Sequence, residues 1–91
     1  MSQSFDMELF LAGVLTGSRA TRERHVRQAK IIQAAIADRW QRENPWTWKK
    51  KHVVWFLETR LSEHSQATQY YYMLTVRLLA RRLETSWVFK L

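Results

Sequence analysis

The sequence predicts an all-α fold: a compact bundle of about four helices with an extended C-terminal tail. Three observations predict it. Glycine occurs twice and proline once in 91 residues, too little punctuation for short strands joined by tight turns. Apolar residues recur at helical spacing along most of the chain. Five Trp, four Phe and three Tyr, with many Leu, Ile and Val, supply apolar surface for one small core without a disulfide or a metal. At this length a single domain over residues 1–91 is expected.

The first helix is expected from about Phe5 to Leu15, with Phe5, Leu9, Ala12 and Leu15 on one face. Asp6 and Glu8 suit its positive N-terminal end. Thr16-Gly17-Ser18 closes it, Gly17 as a left-handed cap, and Ser18 or Thr21 caps the next helix. The second helix should run from about Thr21 to Arg42 on an apolar stripe of Val26, Ala29, Ile32, Ile36 and Trp40. Asn44 and Pro45 mark a stop and a restart.

The third helix is expected from Pro45 or Trp48 to Leu61. Val53, Val54, Phe56, Leu57 and Leu61 share one side, and Trp48, His52, Trp55 and Thr59 the other. A helix apolar on two faces is either sandwiched between neighbours or offers an aromatic stripe to a partner. Such surplus area also points to a homodimer. Ser65 is the expected cap of a fourth helix, about Gln66 to Glu84, packing through Tyr71, Leu74, Leu78, Leu79 and Leu83, with Tyr72 and Val76 widening the face. The ending, Trp87 to Leu91, is expected to lie against the bundle as the extended tail.

Charge narrows the function. Fifteen basic residues stand against eight acidic, a formal net charge of +7. Such a field draws polyanions: nucleic acid, an anionic membrane surface or an acidic protein. No stretch approaches the roughly 20 apolar residues of a membrane span, and no helix pairs a purely apolar face with a purely basic one. The Leu9–Leu15 apolar run is short and follows Asp6 and Glu8 rather than basic residues, so it does not read as a signal peptide. A cytoplasmic location without membrane contact is expected.

Catalysis finds no support. Cysteine is absent, which removes a thiol nucleophile and Cys-based zinc sites. His25, His52 and His64 fall on three segments without carboxylates at ligand spacing. No Gly-rich phosphate loop or nucleophile elbow is present. Tyr70, Tyr71 and Tyr72 point three ways around a helix with no evident base. We therefore expect no enzyme activity, no metal and no cofactor.

The basic clusters carry more information. Arg19, Arg22, Arg24, Arg27 and Lys30 gather at the start of the second helix. Lys49, Lys50 and Lys51 crowd the front of the third, beside Trp46 and Trp48, and Arg77 and Arg81 lie four apart on the fourth. Such runs with few acids suit phosphate contact, since Arg binds phosphate bidentately.

From Lys51 to Leu83 the chain resembles the N-terminal core-binding domain of tyrosine recombinases, the phage-type integrases. The resemblance rests on Trp55-Phe56-Leu57, a polar turn, the helix start Ser65-x-x-Thr68, and Tyr72, Val76 and Leu79 at helical spacing. It implies a SAM-like four-helix bundle that clamps DNA. The recombinase catalytic domain, with its Arg, Lys, His-x-x-Arg and Tyr nucleophile, needs far more chain, so strand exchange is not implied.

The expected function is a small DNA-binding accessory or regulatory protein that contacts duplex phosphates through Arg22, Arg24, Arg27, Lys30, Lys49, Lys50, Lys51, Arg77 and Arg81. One alternative is an inhibitor or adaptor docking on an acidic protein partner through Trp48 and Trp55. Another is an RNA binder, recognised by stacking on exposed rings.

Overall fold

Short-range caps set the helix starts. Asp6 accepts a hydrogen bond from the Leu9 backbone N–H at 3.0 Å and opens α1, Met7–Leu11. Ser18 accepts from Thr21 N–H at 3.2 Å and opens α2, Arg19–Trp40. Ser65 does the same for Thr68 N–H at 3.2 Å and opens α4, Gln66–Arg82. Each cap satisfies an otherwise unpaired helical N–H and contributes about 1 kcal/mol. Between α2 and α4, Asn44 caps a 3-10 turn over Pro45–Thr47, and α3 follows at Lys50–Thr59. The computed structural model describes residues 5–85 and residue 87, and no strand occurs among them.

The chain is thus all-helical, and α2 is its centre. It packs against α1, α3 and α4, and α1 also packs against α4. The core takes Met7, Phe10 and Leu11 from α1, Ala29, Ile32 and Ile36 from α2, Val53, Phe56 and Leu57 from α3, and Tyr72, Val76 and Leu79 from α4. Burying each of the larger side chains contributes about 1.5–3 kcal/mol.

The α2 stripe lies where the sequence puts it, with Ala29, Ile32 and Ile36 buried and Val26 and Trp40 half-buried. Other expectations need correction. α1 is shorter than Phe5 to Leu15 and buries Met7, Phe10 and Leu11, whereas Leu9 is 73% exposed. Both sets have helical spacing, and the face with the bulkier side chains wins. Gly17 does not end α1; it holds φ +93° just before the Ser18 cap, a conformation glycine adopts without steric cost.

α3 starts at Lys50 because Trp48 and Lys49 are extended after the 3-10 turn. Trp48 is pinned there by its indole Nε1–H, which donates to the Arg42 carbonyl at 2.6 Å. The second face of α3 is covered within the chain: His52 is buried, and Trp40 lies 4.7 Å from its ring and 4.9 Å from that of Trp55. The apolar area left on this face is therefore reduced to the half-buried Trp55.

α4 is rotated from its expected facing. Tyr71 is exposed and Leu74, Leu78 and Leu83 are half-buried, while Tyr72, Thr75, Val76, Leu79 and Ala80 are buried. The polar residue at the centre of that face is paired across the seam. Thr75 Oγ1 lies 2.8 Å from His25 Nδ1 and donates to Gln28 Oε1 at 2.8 Å, so the α2–α4 seam is hydrogen-bonded as well as apolar. α4 ends with Glu84 at φ 55°, Glu84 N–H bonded to Arg81 O and Thr85 N–H to Ala80 O. That is a Schellman-type end with glutamate in the usual glycine place. Trp87 is half-buried against the core; the rest of the expected tail, 88–91, lies outside the described residues.

Candidate nucleic-acid interface

On α2, Arg22, Arg27 and Lys30 are exposed and, with Arg19, border a groove of about 780 Å³. Leu15, Val26, Ile31 and Ala34 also line it. Arg19 is held by Glu23 at 2.9 Å, an exposed i, i+4 pair of the kind that contributes a few tenths of a kcal/mol. Arg24 departs from the expected set. It turns towards α4, its guanidinium 4.1 Å from the Tyr71 ring centroid. Stacking on a helix partner leaves it less free than its neighbours to follow a phosphate.

The second group lies where α2 hands over to α3. Lys49 is the N-cap residue of α3, and Lys50 and Lys51 lie in its first turn, which holds no acid. All three are exposed. Arg42 Nη1 donates to the Thr47 carbonyl at 3.0 Å. His52 reports the local field: burial first, then Arg42, Lys51 and Lys49, hold its pKa below the usual histidine value. The charges that lower it are all cationic. Its Nδ1 accepts from Lys49 N–H at 2.9 Å, which requires that nitrogen to be unprotonated.

Arg77 and Arg81 form a third pair, exposed on α4 beside the 60% exposed Tyr70. Arg22 and Trp40 lie about 27 Å apart along α2, so the cations at the start of α2 and those at the α2–α3 connection are at opposite ends of that helix.

The aromatic residues divide differently from the expected docking pair. Trp48 is 5% exposed and belongs to the core, so it is not a partner anchor. Trp55 is half-buried, with Arg60 5.7 Å from its ring. The exposed tryptophan is Trp46, at 54%. Arg82, absent from the predicted set, lies 5.3 Å from the Trp46 ring and 4.9 Å from that of Phe10, and its Nε donates to the Phe10 carbonyl at 2.8 Å. It ties the end of α4 to α1 and the 3-10 turn, a role with no local sequence signal.

His25 is buried in the α2–α4 seam, and burial followed by the Arg24 charge lowers its pKa. Burial raises the pKa of Tyr72, with Arg27 opposing it. His64 is exposed, with its ring 6.1 Å from that of Tyr72. The three histidines thus occupy separate places, and no group of three His, Asp or Glu side chains comes together among the described residues. No helix among them is long and apolar enough to cross a membrane.

No protein-family model, curated protein or solved structure matches the chain. The functional reading therefore rests on the geometry.

Proposed function

We propose that this chain is a small DNA-binding module that acts as an accessory or regulatory factor, not as a catalyst, and holds duplex DNA through its phosphates. One observation carries the reading. Arg22, Arg27, Lys30, Lys49, Lys51, Arg77 and Arg81 are all exposed, and the one ion pair seen among the described residues is Arg19–Glu23. Cations left without acidic partners release the counterions of a phosphate backbone when they bind it. The longest dimension, 39 Å, is comparable with the roughly 34 Å of one duplex turn. A chain of that length can reach phosphates about one turn apart. The resemblance of residues 51–83 to recombinase core-binding domains supports the same reading, and that kinship is itself a proposal.

The docking alternative loses its anchor with Trp48 in the core. The test is binding to duplex DNA, single-stranded DNA and RNA, titrated against salt. Log affinity for the duplex should fall linearly with log salt, by about 0.9 per phosphate neutralised. Arg22→Ala with Arg27→Ala should flatten the slope by about one to two units, as should Lys49→Ala with Lys51→Ala. Melting temperatures should barely move, since exposed cations contribute little to folding. Duplex affinity unchanged in both double variants refutes the proposal, and tighter binding to single-stranded RNA replaces it with the RNA reading.

A further inference from the structure

The groove on the outward face of α2 carries apolar chemistry that phosphate contact does not use. Its volume, about 780 Å³, lies within the roughly 300–1,000 Å³ of ligand clefts. Leu15 from the segment after α1 and Val26, Ile31 and Ala34 from α2 supply its apolar lining. Ile31 is 46% exposed, a large aliphatic side chain left to water. Arg22, Arg27 and Lys30 border the same groove, and none of them forms an ion pair among the described residues. Of the two acids at its edge, Glu8 and Glu23, the latter is occupied by Arg19. From Arg19 to Ala34 the groove follows α2 for about 22 Å, the rise of about fifteen helical residues.

We propose that this groove binds an amphipathic helix of an acidic protein partner. The partner's apolar stripe would cover Leu15, Val26, Ile31 and Ala34, and its flanking carboxylates would meet Arg22, Arg27 and Lys30. Charge selects this occupant. A second copy carries the same formal +7, and a two-fold contact would set these cations against themselves. A bare polyanion meets the cations but gains nothing from the apolar lining. An acidic helix with apolar anchors one turn apart uses both, as helix-in-groove recognition does. This site does not rest on the DNA reading. The two ligands share Arg22, Arg27 and Lys30 and therefore compete.

The probe is a synthetic helical peptide of about fifteen residues, leucines on one stripe and glutamates elsewhere, sized to the groove. Two controls share its charge: a scrambled peptide that breaks the stripe, and one with alanine for leucine. Expected results are binding of the striped peptide, at least about tenfold weaker binding of both controls, and a loss of about tenfold (about 1.4 kcal/mol) in Ile31→Ser and in Ala34→Trp. Both substitutions are at exposed positions, so an unchanged melting temperature checks the fold. Equal binding of striped and scrambled peptides, wild-type affinity in either variant, or no binding at all overturns the proposal. Duplex affinity measured in parallel separates the two readings. Peptide binding without duplex binding leaves this site standing and removes the DNA reading, and the converse removes this site alone.

Discussion

Replacing Thr75 with valine keeps the shape of a fully buried side chain and deletes its hydroxyl. That hydroxyl has one proton. With the proton given to Gln28 Oε1, the hydroxyl oxygen accepts from His25 Nδ1–H, both at 2.8 Å. The variant leaves one buried acceptor and one buried donor without partners, at about 1–3 kcal/mol each. The methyl that replaces the hydroxyl returns about 0.8 kcal/mol, so the net loss should be about 1–5 kcal/mol. That is a large part of the roughly 5–13 kcal/mol expected for a chain of this size. Urea denaturation near pH 8, where His25 is neutral, reads the difference. Gln28→Leu in the same chain removes the orphaned acceptor, so the double variant should be more stable than the sum of the singles by about 1 kcal/mol. A Thr75→Val loss below about 0.5 kcal/mol, or strictly additive effects, would refute the polar seam.

Trp48→Ala should lower stability by about 3–5 kcal/mol, because the ring is in the core and its indole N–H holds the Arg42 carbonyl. A wild-type melting temperature would return Trp48 to the surface. Stability should also fall as the solution is acidified. Folding depresses the pKa of His25 and His52 below 6.5, so the unfolded chain binds more protons below that value. Their contribution is complete above pH 6.5 and is lost as pH falls through the folded-state values, by up to about 1.4 kcal/mol per pH unit for each ring. Flat stability between about pH 7.5 and 5.5 contradicts the buried, neutral placement. Finally, Gln41 and Glu84 sit at φ 57° and 55° at the ends of α2 and α4. Gln41→Gly and Glu84→Gly should each stabilise the fold by about 0.5–1 kcal/mol, measurable as a rise in denaturation midpoint. A fall in both would show that those side chains do more than tolerate the turn.

The sequence by itself determined the all-helical class, the cap residue Ser65, the core stripe of α2 and the supply of cations, and it left the cap of α2 between Ser18 and Thr21. Those features are local: a cap bonds an N–H three residues away, and a stripe needs only helical spacing. Tertiary structure decided the facing of α1 and α4 and the burial of Trp48 rather than Trp46. It also gave Arg24 and Arg82 their stacking roles. These outcomes depend on partners far along the chain, 50 residues apart for His25 and Thr75 and 72 for Arg82 and Phe10. α4 offers one stripe through Leu74 and Leu78 and another through Tyr72, Val76 and Leu79, and both are apolar. The buried one is the stripe whose threonine meets His25 and Gln28 on α2, because a buried hydroxyl must be paired, and that pairing exists only once the two helices are in contact.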